Sequence, residues 1–486
     1  MRRFVLVILG LTILAPTLGF TPAWDDGVDS LAATAPATAP SAQPATQPAT
    51  QPTTEPTTTS AATAPASQPT TKPAKPKDRY LAVIGGTVHP VSGADLTGVT
   101  ILCKNGRIQS ISRSPKLPDD AQVLDATGYH VYPGLIASNT RNVVGSEPPE
   151  DTTNVFATSM RLANAGGITT AIVGNTAAKV SYGSVEGLTL RKDLFVGLRY
   201  RSPAEKRSLR ESLDKVRDYL RDKDDFERRK AEGDKEAKPP DESPVTGGNA
   251  RFLQLIKKEK AAVFSADSRS ELDAICELVE TYGIRAVVRG AVEGWTIPDR
   301  MGRAGIQAIV TPRRQTERDQ QLNHPQGGSI ENAAILYSRG VEIAITPGAV
   351  DASLGGLAGR DLQHIPMEAA LAVSGGLPEK AAIESITLTA ARIHGIADRV
   401  GSIEVGKDAD FIICSGRLLE FFTMVEWTVV NGRIVYDKQA DTLFADIRPR
   451  TPTTQPARYK FWPRPFKPRP APQPGEGGRY GRSPLE

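Results

Sequence analysis

Residues 125–142 of this 486-residue chain read Asp-Ala-Thr-Gly-Tyr-His-Val-Tyr-Pro-Gly-Leu-Ile-Ala-Ser-Asn-Thr-Arg-Asn. If the apolar part of this stretch is a strand, side chains two apart point to the same face, so Asn139 and Arg141 project together. A guanidinium has five donors, no lone pair to give and a permanent positive charge. Arg141 would therefore repel a divalent cation rather than bind it.

Hairpin signals lie on both sides of this stretch. Asn105-Gly106 and Asn431-Gly432 each join two apolar runs, a pattern typical of tight two-residue turns. The predicted strands around them are Tyr80–Gly85, Val99–Lys104, Arg107–Ser112, Asp410–Cys414, Trp427–Val430 and Ile434–Tyr436. Two hairpin-rich ends around a long middle predict a small β-sandwich built from both ends of the domain.

In the middle of the chain, short β runs alternate with helical ones. The predicted strands are Ile168–Val173, Ala261–Ser265, Arg285–Arg289, Ala308–Thr311 and Glu342–Thr346. The predicted helices are Asn154–Ala165, Arg269–Thr281, Thr296–Ala304 and Ile330–Arg339, with an amphipathic helix followed by a solvated loop over residues 203–243. The alternation predicts parallel β/α units, and the pattern alone leaves a barrel and a doubly wound sheet both open.

Motifs at both ends resemble amidohydrolases of the imidazolonepropionase-like group. They are residues 105–111, 125–128, 132–136, 388–396, 401–410 and 429–433. In matching order they bracket roughly 360 residues, which makes the resemblance specific for the fold. It implies an α/β fold, a TIM-like (β/α)8 barrel of the metal-dependent hydrolase type with a composite β-sandwich, and hydrolysis of non-peptide carbon–nitrogen bonds.

The resemblance also implies four histidine positions and an aspartate that together hold zinc or another divalent metal. In this sequence the histidine positions are occupied by Asn139, Arg141, Ser265 and Arg289, and Pro347 or Gly348 stands at the aspartate. Without about three protein ligands a catalytic zinc has no site, so no metal cofactor is expected. The five histidines, which stand at none of these places, are His89, His130, His324, His364 and His394.

The replacements predict a cationic mouth at the former metal site. Two guanidiniums there need a counter-charge, because an unpaired buried charge is costly. Asp267, Glu293 or Asp351 could supply it from within the chain. Otherwise the partner is a small anionic ligand such as a carboxylate, a phosphate or a sugar acid.

Three function classes follow from these observations. The first is a catalytically inactive, anion-binding pseudoenzyme. The second is a metal-independent hydrolase with Asp267 or Asp351 as general base. The third is an envelope interaction protein, in which basic and aromatic residues of segment 449–486 bind an anionic cell-envelope polymer. No specific nucleic-acid partner is expected, and a homo-oligomer remains open.

The ends of the chain predict export from a bacterial cell, to the periplasm or the medium. Arg2 and Arg3 precede a short apolar run, typical of a signal peptide over 1–23, with an uncleaved membrane anchor as the alternative. The predicted scheme continues with a Thr/Ala/Pro/Gln-rich disordered linker (24–78), the sandwich (79–131 and 400–440), the barrel (132–399) and a Pro/Arg-rich disordered tail (441–486).

The three cysteines, Cys103, Cys276 and Cys414, are far apart in the sequence and stand in apolar runs. They are expected to be buried thiols that hold no metal. A disulfide between Cys103 and Cys414 is left open.

Overall fold

The structure is a computed structural model that describes residues 78–141, 143–145, 148–316, 321–347, 350–351 and 365–441. The side chains of Arg141, Val350 and Asp351 are not part of this description. The predicted signal peptide, nearly all of the linker and the C-terminal tail lie outside these residues. Within them, no helix combines the length and the apolar character that a membrane span requires.

The described secondary structure contains short strands and mostly short helices. The strands are β1 (Tyr80–Ile84), β2 (Thr87–Val88), β3 (Thr100–Lys104), β4 (Arg107–Ser112), β5 (Gln122–Asp125), β6 (His130–Pro133), β7 (Leu135–Ala137), β8 (Thr140–Arg141), β9 (Ile168–Val173), β10 (Thr176–Lys179), β11 (Thr189–Arg191), β12 (Phe195–Gly197), β13 (Ala261–Ala266), β14 (Ala286–Gly290), β15 (Gln307–Val310), β16 (Ile343–Ile345), β17 (Val350–Asp351), β18 (Phe411–Cys414), β19 (Val425–Val430) and β20 (Arg433–Asp437). The helices are α1 (Pro149–Thr152), α2 (Thr158–Ala165), α3 (Pro203–Ala231), α4 (Ala250–Ile256), α5 (Arg269–Tyr282), α6 (Pro298–Arg303), α7 (Asn332–Ser338), α8 (Ile365–Ser374), α9 (Glu379–Ser385) and α10 (Leu388–Ile393).

Both ends of the described chain contribute to two facing sheets. One sheet has the order β4-β3-β1-β5, and the other has the order β2-β6-β18-β19-β20. Alternate residues of both sheets share one apolar core, in which Leu81 and Ile101 meet Phe411 and Val429. This arrangement is the composite β part that the two hairpin-rich ends predict.

The two predicted hairpins are present, and their turn chemistry explains why. Asn105 and Asn431 have φ of 50° and 49°, and Gly106 and Gly432 follow with φ of 85° and 64°. Two successive positive φ angles define the turn that matches the twist of a two-residue hairpin, and Asn-Gly adopts it at little cost. The two turns also meet, because the amide of Ala409 donates to Gly106 O at 2.8 Å and Gly432 donates to Ala409 O at 3.0 Å.

The middle of the chain forms a parallel sheet in the order β12-β13-β14-β15-β16. Helices lie between consecutive strands of this sheet in the sequence. Its side chains alternate between two apolar environments. Phe264, Val288 and Val310 face the helices, whereas Val263, Val287 and Ile309 face a second cluster that also contains Ile136 of β7 and Ala390 of α10. A shared interior of this kind, between the β7 and β12–β16 sheets, is what a barrel requires.

The alternation of parallel strands with helices is interrupted between β9 and β12. There β10 pairs antiparallel with both β9 and β11, so the regular β/α units predicted from the sequence are wrong for this part. The first and last strands of the middle region do meet, since Thr140 pairs with Val350 and Arg141 with Asp351. Among the described residues the ladders do not form one closed barrel.

All three cysteines are buried free thiols, as expected. Cys103 lies in β3 and Cys414 in β18, and these strands belong to different sheets. Both are free thiols, and the disulfide left open by the sequence is not formed. Burial raises the pKa of the Cys103 thiol to about 12. Thiols of this kind are unreactive at neutral pH.

Candidate ligand-binding site

Ser265 and Arg289 lie at the carboxyl ends of β13 and β14, directly opposite each other in the parallel register. Each is two residues from a side chain that faces the shared interior, Val263 and Val287 respectively, so both project to the interior face. They line a cavity of about 740 Å³ together with Asn139, Thr311 and Pro347. Three of the four positions that the sequence assigned to a former metal site therefore line one cavity.

A second lobe of about 790 Å³ adjoins this cavity and shares Arg201, Ser265 and Arg289 with it. Its other lining residues include Leu198, Tyr200, Glu205, Glu271 and Ile275. Both volumes fall in the range of about 300–1,000 Å³ that small-molecule sites occupy. Arg289 thus stands at the junction of two spaces large enough for a ligand.

The Arg289 guanidinium is partly buried and lacks an ion-pair partner among the described residues. Its Nε atom is fully buried and makes no hydrogen bond with them. Burial lowers the pKa of Arg289 below its ordinary value, and no described carboxylate opposes that effect. An arginine stays charged in proteins even so, and Arg289 therefore presents an uncompensated positive charge to the cavity.

The other arginines around the cavity are neutralised by carboxylates. Arg201 Nε lies 3.2 Å from Glu271 Oε1, and Arg314 Nη2 lies 2.7 Å from Asp267 Oδ2. Arg313 forms an ion pair with Glu368, whose side chain is almost completely buried. Arg289 differs from these three neighbours in having no such partner in the described part of the chain.

Two of the three internal counter-charges proposed from the sequence do not serve Arg289. Asp267 is committed to Arg314, and burial raises the pKa of Asp267 although Arg314 opposes the rise. Glu293 accepts hydrogen bonds from the amides of Arg269 at 2.8 Å and Gly327 at 2.7 Å. Asp267 and Glu293 directly follow the ends of β13 and β14, but their carboxylates bind Arg314 and two backbone amides instead of Arg289.

The backbone around Asp267 is tightly fixed. Ser268 caps α5 in a capping box with Glu271, which holds the turn directly after Asp267. Gly290, with φ of 105°, is required next to it, since a Cβ atom there would lie 2.1 Å from Asp267 Oδ1. The wall of the cavity beside Arg289 is therefore preorganised.

Arg141 and Asp351 are described only through their backbones, which are register partners on β8 and β17. The side chains of Asp351, predicted as a base or counter-charge, and of Arg141, predicted at the ligand site, lie outside the described part of the chain. Gly348 and His364 lie outside the described residues.

The described residues at the positions that the resemblance assigns to a metal site do not fit a zinc ion. Amide, hydroxyl and guanidinium groups replace the imidazoles, and no three His, Cys, Asp or Glu side chains of the described chain are grouped so that they could hold a metal. His89 and His130 lie in the sandwich, where His89 Nε2 is 2.9 Å from His130 Nδ1 and His89 Nδ1 is 2.8 Å from Asp95. His324 lies in a loop with its Nδ1 atom 2.9 Å from Pro325 O.

Sequence reasoning treated His394 only as a scaffold residue. The structure places it directly after α10, completely buried, with its ring at 5.6 Å from that of Phe195 and neither ring nitrogen hydrogen-bonded to a described residue. Burial, together with the nearby charge of Arg289, lowers the pKa of His394 to about 3. Its sequence context carries no signal for this environment, which is created by strands distant in the chain.

Comparisons with known proteins agree with this architecture. Residues 325–442 match the profile of the amidohydrolase family. The crystal structure of an amidohydrolase from Thermotoga maritima matches with a TM-score of 0.57 and 21% identity, over 74% of this chain and 100% of that chain. A dihydropyrimidinase from Brevibacillus agri matches with a TM-score of 0.44 and 14% identity, over 74% of this chain and 95% of that chain. The first two findings confirm the amidohydrolase resemblance, while identity this low establishes only a common fold.

Proposed function

We propose that this chain, related to the amidohydrolases by its family match and its fold, has lost metal-dependent hydrolysis and binds a small anionic ligand. The ancestral chemistry implied by the relationship is hydrolysis of non-peptide carbon–nitrogen bonds. In this proposal the protein is a pseudoenzyme: it retains the ligand cavity of the fold but does not catalyse the hydrolysis.

The observation that supports this proposal is the guanidinium of Arg289 at the junction of the two lobes, which no described carboxylate neutralises. A buried cation without a partner destabilises a fold, and a bound anion removes that penalty. Ser265 lies beside Arg289 in the register and offers a hydroxyl donor. A planar guanidinium with a flanking hydroxyl is suited to hold an anion in fixed orientation.

Metal analysis of the full-length protein and a substrate screen test the loss of hydrolysis. We expect substoichiometric zinc, iron and manganese after purification without chelator, and no turnover of amide, lactam or carbamate substrates. One equivalent of metal per chain, with turnover that a chelator removes, would contradict the proposal. Isothermal titration with simple anions tests the binding function directly, with Arg289→Gln as the variant that should lose it.

A metal-independent hydrolase remains the second candidate, because Asp267 lines the cavity and burial raises its pKa toward that of a usable base. Its ion pair with Arg314 works against this role, because the nearby guanidinium stabilises the ionised carboxylate and so weakens it as a base. The hydrolase predicts turnover that Asp267→Asn abolishes. The pseudoenzyme predicts no turnover in either protein.

Export to the bacterial envelope or medium, and attachment there through residues 449–486, belong to the same proposal. The support is the charged and apolar start of the chain and the basic, aromatic composition of its tail. Deletion of 449–486 should reduce retention on isolated cell walls, and unchanged retention would count against the tail as an adhesive segment.

A further inference from the structure

We infer that the ligand of this cavity is a monocarboxylate, held on Arg289 by its carboxylate and extending into the adjoining lobe with an uncharged body. The inference rests on the proposed function and narrows it from any small anion to one class.

The first argument is the charge balance of the cavity. Of the four arginines that line it, Arg201, Arg313 and Arg314 are each paired with a carboxylate, and Arg289 alone has none among the described residues. The unmatched charge on the described wall is therefore a single positive one. A monoanion matches it, whereas a phosphate dianion would bring a second charge into a partly buried space without a cation to meet it.

The second argument is the supply of hydrogen-bond donors around Arg289. Ser265 stands beside it in the register, and Thr311 lines the same cavity. Neither hydroxyl is engaged with another described residue, so both are free to donate. A carboxylate offers about four lone-pair sites in one plane, which the guanidinium fork and two hydroxyls can satisfy.

The third argument concerns His394, which is linked electrostatically to Arg289. His394 is completely buried, and its lowered pKa keeps it neutral at physiological pH. His394 therefore adds no second positive charge near Arg289. A histidine that was protonated there would have favoured a doubly charged ligand instead.

The adjoining lobe suits a body without net charge. Besides Arg289 it is lined by Arg201, which is paired with Glu271, and by Arg199, whose charge lies close enough to Glu205 to help lower the pKa of that carboxyl. Between these charges the wall is formed by uncharged side chains such as those of Leu198, Tyr200 and Ile275. The basic and acidic side chains of this wall are present in equal number apart from Arg289, so a further ionic group on the ligand would leave one charge without an opposite one.

The experiment compares four probes on the full-length protein at constant ionic strength. They are acetate, N-acetylglycine, N-acetylglycinamide and inorganic phosphate. N-acetylglycinamide differs from N-acetylglycine only in having a neutral carboxamide in place of the carboxylate. Affinities are measured by titration calorimetry and by thermal shift for wild type, Arg289→Gln, Arg289→Lys and the exposed control Arg303→Gln. We expect N-acetylglycine to bind at least about tenfold more tightly than the amide or phosphate, since only the acid gives Arg289 a singly charged hydrogen-bond acceptor.

Arg289→Gln should remove this preference, Arg289→Lys should keep part of it, and Arg303→Gln should leave it unchanged. If phosphate binds more tightly than both carboxylates in an Arg289-dependent manner, the monocarboxylate class is wrong and the anion-binding function stands. If the acid and the amide bind equally, the class is also wrong. If no probe binds in an Arg289-dependent manner, both the inference and the proposed function fail.

Discussion

Lys179 and Asp408 form a buried ion pair in which Nζ lies 2.8 Å from Oδ2, and Lys179 has no exposed surface. The same ammonium contacts Asp410, whose Oδ1 accepts from the amide of Asn431 at 2.8 Å. Arg399 adds a second cation, 2.8 Å from Asp408. This cluster connects β10 of the middle region to the segment that leads into β18 of the sandwich.

Replacing Lys179 with methionine should therefore destabilise the protein by about 3–5 kcal/mol, because it leaves buried carboxylates without their main partner. Urea unfolding measures the change. The control is Lys380→Met, whose exposed side chain only reaches Glu384 at 3.9 Å and should change stability by less than about 1 kcal/mol. Equal effects for the two variants would mean that the buried cluster does not hold the two regions together.

Arg289→Gln should raise the stability of the ligand-free protein, by about 1–3 kcal/mol, since it removes a partly buried charge that has no ion-pair partner among the described residues. Thermal unfolding without added anions measures this. Arg303→Gln, on the exposed surface of α6, should have almost no effect. A marked loss of stability in Arg289→Gln would show that the guanidinium is already neutralised within the chain.

His394 should make the protein sensitive to acid. Its pKa in the folded protein is about 3, below the ordinary 6.5, so the unfolded chain binds the proton at the higher pH. The contribution of His394 is complete above about pH 6.5 and is lost as the pH falls toward 3, at about 1.4 kcal/mol for each unit. Urea unfolding between neutral and mildly acid pH should show a flatter pH dependence for His394→Leu. His324→Gln, in a loop, is the control, and parallel curves for wild type and His394→Leu would contradict the prediction.

Histidines placed at the four positions that the resemblance assigns to metal ligands should create a metal site. The four substitutions are Asn139→His, Arg141→His, Ser265→His and Arg289→His. Three or four imidazoles at the ends of adjacent strands satisfy the ligand count of a zinc centre, so this variant should retain stoichiometric zinc after dialysis. Elemental analysis measures the zinc, with the single-substitution variant Ser265→His as the control, because one imidazole is too few to hold the ion. A folded variant without zinc would argue that these four positions do not converge as assigned.

Local turn chemistry explains which parts of the fold could be predicted. The Asn-Gly turns depend only on neighbouring residues, and the strand Arg107–Ser112 was predicted to the residue. The strand that contains Lys179 was missed, because a lysine in a short run is typical of a solvated segment. Its partner Asp410 is 231 residues away, and only the tertiary fold makes burial of that charge affordable.

The same distinction holds for the candidate site. Strand periodicity and the motif alignment were sufficient to place Ser265 and Arg289 in one cavity, because they depend on residues close in sequence. The pairing of Arg313 with Glu368 depends on how α8 packs, and no local pattern reports it. The sequence therefore indicated that Arg289 lines the site, and the structure was needed to identify it as the one of the four arginines around the cavity that has no ion-pair partner among the described residues.

The pairing of β6 with β18 also sets the order in which the strands of this protein can pair during synthesis. Val131 pairs with Ile413, so one edge of β6 has no neighbour until the ribosome has made most of the chain. A bare strand edge is a template for pairing with other polypeptides, so nascent molecules of this protein expose such an edge until β18 has been made. Premature termination before β18 would yield a product prone to aggregate, however complete its middle region.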